Sequence, residues 1–498
     1  MPSENVSASP PGLPPSTNVI VDGVLRFPPT GSRALVVGAG IGGLMAALEC
    51  WRKGIEVEVV EKADKISVLG DIFSIGPSAV TTFHHYPSML KEYDEISHDA
   101  HLIFAARDGT EIMPPLEFEW NRKGVAQNGA YPLRVKGLVG RLRFAQMLFH
   151  QCKRLGIPVT FGVAVERYEE DIGNGSATAI ALDGRRLTAD VVIAADGIGT
   201  KSHGVILGHP VRALKTGFLV YRAIYSTERL NDVLVVKDVI RNLERPILML
   251  VKAAKIHCVF SLSKSHVSIG ITTEDDDMTA IESWSSTVSN ETALSALPNP
   301  ETWSPFIREI ILHAPQNSIV RWSLCFRDPQ PRWTSTSGRI VQLGDSAHSF
   351  LPTSGNGATQ ALEDASSLPE CLRMVRKEDV GIATKVHELL RYQRVSLIQH
   401  TGFVNMQDVH REVDPKSTER KPPMQEGKWL WAHNPEKYAT ENFTKAREHL
   451  EKGKLFENTN LPPGHKWSDW TMEDEFSRQK AGILTTHELK INGDWSLV

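Results

Sequence analysis

The apolar run Ala34-Leu35-Val36-Val37 stops at a glycine, and the spacing of apolar positions then changes twice. From Ile41 to Trp51 they recur at helical intervals, and from Glu56 to Val60 they alternate with charge. Strand, glycine turn, helix and strand in that order predict a right-handed βαβ unit of about 30 residues. A second helix is predicted in "LVGRLRFAQMLFHQCKRLG", with Leu138, Leu142, Met147 and Leu148 as its apolar stripe and Arg141 near its start. "PVTFGVAVERYEED", a Gly-Asn-Gly turn and "SATAIALDGRRLTADVVIAADG" then read as a meander. Residues 215–274 read as further strands, and a helical stretch around Ile307–Leu312 follows.

"RIVQLGDSAHSFLPTSGNGATQALEDA" begins as a buried strand and ends as a helix, so the chain carries two strand–glycine–helix junctions far apart. The expected architecture is α/β, a Rossmann-like nucleotide-binding domain interleaved with a β-sheet domain and followed by a helical C-terminal extension. The boundaries expected are 1–30 as a disordered arm, 31–205 and 334–410 as the two parts of the nucleotide domain, 206–333 as the β-sheet domain, and 411–498 as the extension.

Composition narrows the classes. The 498 residues are 41 % hydrophobic and 23 % charged, an ordinary globular mixture. A net charge of −4 lacks the basic footprint of a nucleic-acid binder. Five scattered cysteines make a poor disulfide framework or zinc site and fit a reducing compartment such as the cytoplasm. The polar N-terminus has no signal-peptide pattern, and no apolar run is long enough to span a bilayer. The acidic "TEDDDM" reads as a solvated turn, and His84-His85 as loop or core histidines rather than metal ligands, since adjacent residues point apart.

Gly38, Gly40 and Gly43 form Gly-x-Gly-x-x-Gly directly after the first strand. Such glycines allow a tight turn, backbone approach to a pyrophosphate and close helix–strand packing, with the diphosphate on the helix N-terminus. Glu61, closing the next strand, stands where an acid takes adenosine ribose hydroxyls. The loop thus points to an ADP moiety, of NAD or FAD alike. In the later junction an ionised Asp345 suits sugar-like hydroxyls, and Gly355, Asn356, Gly357 and Ala358 open a helix whose amides favour negative charge. A ligand with an ADP end, a polyol chain and a ring that becomes anionic on reduction would use both junctions.

These motifs resemble those of the single-component FAD-dependent aromatic hydroxylases, the class A flavoprotein monooxygenases that include p-hydroxybenzoate and salicylate hydroxylases. The glycine loop with Glu61, "VVIAADGIGTKSH" with Asp196-Gly197, and "GDSAHSFLPTSGNGATQALEDA" occur in the family's order, and "RLRFAQML" matches its Arg-x-x-Leu segment. The resemblance implies FAD as cofactor, with Gly38, Gly40, Gly43 and Glu61 at its ADP end and Asp345 at the ribityl chain. Amides of Gly355–Ala358 would face the flavin pyrimidine, Arg141 would be a flavin-side contact, and Asp71 would lie in a loop beside the flavin. It also implies NADH or NADPH as reductant, O2 as co-substrate, and oxygen transfer through a flavin C4a-hydroperoxide to a small aromatic molecule. "TGFLVYRAIY" resembles a family strand whose arginine reaches the substrate, which makes Arg222 the catalytic candidate; Tyr221 and Tyr225 are explained equally by packing.

Two departures stand out. The family's Gly-Gln-Gly is Gly-Asn-Gly here, and the arginine that usually ends the Asp-Gly motif is His203. The extension and "GDIFSIGPSA" resemble fungal members acting in secondary metabolism, which implies a bulkier polyketide- or alkaloid-like substrate. Monomer and homodimer are both compatible with the sequence. The rivals are a flavin halogenase or reductase on the same scaffold and a non-catalytic FAD-fold binding protein; "WLWAHNP" does not match the halogenase Trp-x-Trp-x-Ile-Pro.

Overall fold

The computed structural model describes residues 18–66, 72–125, 134–253, 255–275, 286–410, 426–483 and 485–497. Asp71 lies outside these, as do residues 276–285 and 411–425. In chain order the elements that build the site are β1 (Arg33–Val37), α1 (Ile41–Arg52), β2 (Glu56–Val60), β3 (His101–Ala105), α2 (Arg141–Arg154), β4 (Val159–Thr160) and β5 (Val191–Ala194). They continue with β6 (Leu214–Ser226), β7 (Ile247–Ala253), β8 (Ile256–Leu262), β9 (His266–Glu274), β10 (Ile319–Phe326), β11 (Ile340–Gln342), α3 (Gly357–Arg373), α4 (Val380–His410) and α5 (Pro435–Lys452).

The nucleotide sheet has the order β11-β5-β1-β2-β4, parallel throughout. Its central strands are apolar on both faces because helices and the meander cover both, as parallel sheets require. One face packs Val36 and Ile193 into a core shared with α1, α3 and α5, and the other packs Leu35, Val37 and Val192 against the meander. Both junctions therefore emerge at the carboxyl edge of one sheet, where open α/β sheets bind ligands.

The second sheet runs Thr287–Val288, β10, β6, β9, β8, β7, β3 and is antiparallel apart from the β7–β3 pair. Its pleat sorts side chains into two unlike faces. Tyr221, Ala223, Tyr225, Cys258, Phe260, Ile269 and Ile271 fill a core with the helix Pro305–Leu312. Arg222, Ile224, Val259, Gly270, Val320 and Trp322 lie on the opposite face, each only half-buried.

Some expectations change. Residues 18–30 are not part of a disordered arm: Val19–Val21 and Val24–Arg26 form a hairpin, and Val24 is fully buried. The Phe27 amide donates to the Arg52 carbonyl, and Lys53 and Arg373 stand over the Phe27 ring, so the segment is held against α1. In the second helix Leu138 belongs to the strand Leu138–Gly140, and α2 begins only at Arg141. Leu142 is exposed, and the buried stripe is Phe144, Met147, Leu148, Gln151 and Cys152. Gly140, extended at the N-cap, separates strand from helix, and periodicity alone ran across it. The β-reading of 215–274 is interrupted by the amphipathic helix Leu234–Arg241.

Candidate functional site

The first junction is fixed by contacts that exclude any side chain. Gly38 has φ +106°, and a Cβ there would lie 2.4 Å from the Ala195 carbonyl oxygen. At Gly43 it would lie 2.0 Å from the Gly38 carbonyl oxygen, so α1 sits directly on the turn. Gly40, by contrast, has open space where its Cβ would be. It is the N-cap of α1, with no side-chain cap and no acidic residue in the first turn. The start of α1 is thus uncapped and open at Gly40, with the positive end of the macrodipole there, a setting suited to a diphosphate. Glu61 accepts from the amides of Ala39 at 2.7 Å and Ala63 at 2.9 Å, which brings its carboxylate to the rim of the loop. A carboxylate has about four acceptor positions, so two bonds leave it able to take hydroxyl donors.

Asp196 follows β5, beside β1 in the sheet, and packs on the turn through the Ala195 contacts of Gly38 and Gly43. Its Oδ2 accepts from the Tyr168 hydroxyl at 2.8 Å and the Lys201 amide at 3.3 Å. Burial raises its pKa above the usual carboxylate range, partly offset by these hydrogen bonds. The Asp-Gly motif is therefore locked to the meander through Tyr168, a partner the sequence did not suggest. His203 is buried at the start of the helix His203–Leu207, and burial with Arg327 nearby lowers its pKa. Arginines reach this segment from elsewhere: Arg327 donates to the Ile198 carbonyl and Arg332 to the Ile206 carbonyl at 2.5 Å.

The second junction lies next to the first. Gly344, Ser346, Ala347 and His348 are buried, whereas Asp345 between them is exposed. Behind it, Asp364 of α3 accepts from the Gly344 amide at 3.1 Å and lies 2.6 Å from His348 Nε2. Arg391 of α4 donates to Asp364 Oδ1 at 2.8 Å and to Glu363 at 2.5 Å, and Arg394 donates to both Glu363 oxygens. All four charges are at most 1 % exposed. Despite the desolvation, the two guanidiniums hold Glu363 far below the ordinary range, and His348 with Arg391 does the same for Asp364. Arg394 also donates to the carbonyls of Trp429, Leu430 and Asn460, tying the C-terminal extension to this network. Sequence reading found none of these four, because only the fold pairs them.

Gly355 adopts φ +61° with nothing near its Cβ position, and α3 starts after Asn356 with no side-chain cap and no acidic residue in its first turn. Gly355 is exposed and Gly357 and Ala358 are half-buried, leaving a second amide-lined helix start facing outward. Arg141 opens α2 with its guanidinium 6.0 Å from the Phe73 ring centroid.

Arg222 projects from β6 on the half-buried face, opposite Gly270 of β9 and Val320 of β10, and the missing side chain at Gly270 leaves it room. Trp322 pairs with Val220 one step along that face. Val220, Leu324 and Phe326 of the same sheet pack with Leu351 of the second junction, Phe403 of α4, and Trp470 and Met472 of the extension. The Arg222 face and the second junction therefore share one wall. Tyr221 and Tyr225 belong to the opposite core, where the Tyr225 hydroxyl donates to the Ile310 carbonyl, so their role is packing. His85 also has a structural setting, 3.4 Å from Glu436.

Two uncapped helix starts, an acid at the first and an exposed acid at the second are a donor and acceptor set that would fit an extended dinucleotide such as FAD. A sequence-family model described as FAD binding domain matches residues 32–384. The chain is 35 % identical over 487 residues to the FAD-dependent monooxygenase fsr3 of Gibberella fujikuroi, covering 95 % of this chain and 91 % of that protein. It is 37 % identical over 489 residues to the FAD-dependent monooxygenase mdpD of Emericella nidulans, covering 95 % and 92 %. Among solved structures, FqzB superposes with TM-score 0.75 at 26 % identity, covering 89 % of this chain and 99 % of that one. CtdE in complex with FAD and a substrate gives 0.72 at 28 %, covering 84 % and 100 %. A salicylate hydroxylase substrate complex shares the fold at TM-score 0.65 and 21 % identity, covering 82 % and 97 %.

Proposed function

The chain belongs to the FAD-binding domain family and is an FAD-dependent monooxygenase; from that premise we propose that it uses NAD(P)H and O2 to oxygenate an electron-rich, aromatic or polyketide-like small molecule in fungal secondary metabolism. The observation that carries the substrate side is Arg222 on a half-buried sheet face that shares a wall with the second junction.

Each residue's task follows from its chemistry. Amides from Gly40 to Gly43 would hold the diphosphate, and Glu61 would accept from the ribose hydroxyls. Asp345, exposed between buried neighbours, accepts from the polyol chain. Amides at Gly357 and Ala358, backed by the dipole of α3, would hold the pyrimidine side of the ring and stabilise negative charge there as preorganised donors. FAD, when bound, would supply the redox chemistry between NAD(P)H and O2, which no side chain of this site provides. Arg222 holds a phenolate or carboxylate oxygen of the substrate, and its permanent positive charge lowers the pKa of a bound phenol. Apolar neighbours Ile224, Val259, Val320 and Trp322 suit the ring and exclude water from the reaction. The rise of Cys152, Cys258 and Cys371 well above the ordinary thiol range, through burial, leaves them no nucleophilic role.

The test is the absorbance spectrum of the purified protein followed by NADH- and NADPH-dependent O2 uptake with phenols and polyketide-like rings. A yellow protein whose uptake rises with one ring class and yields an oxygenated product supports the reading. Protein that stays colourless when FAD is added overturns it.

A further inference from the structure

The side chain of Asn356 does not cap α3. Its Nδ2 donates to the Ser354 carbonyl at 2.6 Å and to Glu426 Oε1 at 3.0 Å. Glu426 comes from the C-terminal extension, 70 residues further along the chain. Its place is fixed from two sides. The Glu119 carboxylate, from a single turn after β3, accepts from the Glu426 amide at 3.0 Å and the Gly427 amide at 3.1 Å. Gly427 has φ +88°, and a Cβ there would lie 2.8 Å from the Trp495 carbonyl oxygen, so this turn admits no side chain. Two carboxyl groups from distant segments thus meet beside the helix start that faces the cofactor ring in the function proposed above.

We propose that Glu426 is a positioning residue for the flavin: it holds the Asn356 carboxamide at the start of α3, and its loss of a proton places negative charge beside the ring and disfavours the reduced, anionic flavin. This rests on the assignment of the Gly355–Ala358 loop to the flavin ring. Among the described residues, the groups that act on Glu426 are the Glu119 carboxylate from the facing turn, itself influenced by Arg122, and the neutral Asn356 at the start of α3. Burial and the Glu119 charge push Glu426 up to about 8, although Asn356 pulls it down. Burial likewise raises Glu119. Near neutral pH Glu426 therefore carries its proton, and it loses it within the range of ordinary buffers.

The experiment is the midpoint potential of the protein-bound flavin from about pH 6 to pH 10, in wild type, Glu426→Gln and Glu119→Gln. Wild type is expected to show an extra downward bend near pH 8, which Glu426→Gln, neutral throughout, lacks. Glu119→Gln is expected to move the bend to lower pH, because the neighbouring negative charge is gone. Superimposable curves for wild type and Glu426→Gln overturn the proposal. If Glu426→Gln does not fold, an unmoved bend in Glu119→Gln overturns it. Failure of wild type itself to bind FAD, measured by flavin fluorescence quenching, overturns the functional reading beneath it.

Discussion

The two helix starts that line the cradle are built by opposite means. At the first, backbone touches backbone: Gly38, Gly43 and Ala195 leave no room for a methyl group, and the contacts join the ends of two adjacent strands and the first turn of α1. The second is open around Gly355 and is held from behind by four buried charges and from the side by the extension. Local close packing makes the one rigid. The other gains its shape from charges far apart in sequence, so it responds to changes far from itself.

The largest effect expected from breaking this contrast comes from Arg391→Met. It leaves Asp364 without its guanidinium and weakens the hold on Glu363, and a broken buried pair costs about 3–5 kcal/mol. Denaturant unfolding should show that loss, with FAD affinity falling alongside because the Gly344–His348 turn loses its anchor. Gly43→Ala probes the first junction, where the added methyl meets the Gly38 carbonyl; a cost of about 1–3 kcal/mol is expected, with the purified protein losing its yellow colour. Asp345→Asn separates binding from stability. The exposed side chain should leave apoprotein melting within about 0.5 kcal/mol of wild type, while FAD titration shows roughly tenfold weaker binding from the lost charge-assisted hydrogen bonds.

A pH-linked effect sharpens the comparison. Glu426 is raised in the folded protein, so the folded state holds the proton more tightly and gains stability below the unfolded pKa of about 4.5. That contribution declines as pH rises toward about 8 and is gone above it. Glu363 and Asp364 are depressed, so their contribution is present above the ordinary carboxylate range and is lost as acid is added. Melting temperature against pH should therefore fall clearly more between pH 5 and pH 8 in wild type than in Glu426→Gln.

The same contrast explains what the sequence made legible. The βαβ unit, the turn glycines, Glu61 and both junctions are local patterns, and the strands Arg33–Val37 and Ile340–Gln342 lie where those patterns put them. Arg222 on the open face follows from strand alternation once the sheet is known. Tyr168 on Asp196, the Glu363–Arg394 network and the Glu119–Glu426 pair were not legible, since each joins segments whose separation no local periodicity encodes. The extension shows the same limit: its tryptophans lie in a polar stretch, yet Trp431 is buried in the main core, Trp470 against the second sheet, and Trp495 with Leu397 and Leu461.

The seating of α5 on α1 bears on how the protein is made. Lys53 sits at the end of α1, fully buried, and its ammonium meets Glu370 of α3 and Glu436 of α5, the latter 383 residues away. During synthesis the first βαβ unit leaves the ribosome long before either carboxylate exists, with an apolar helix face and a lysine awaiting burial. Domains generally fold as units from the N-terminus during synthesis, yet this one closes only when its last helices arrive. The nascent chain thus carries Lys53 and the adjoining part of α1 without their partners until α5 has been made, and shortening the C-terminus should reduce yield before it alters catalysis.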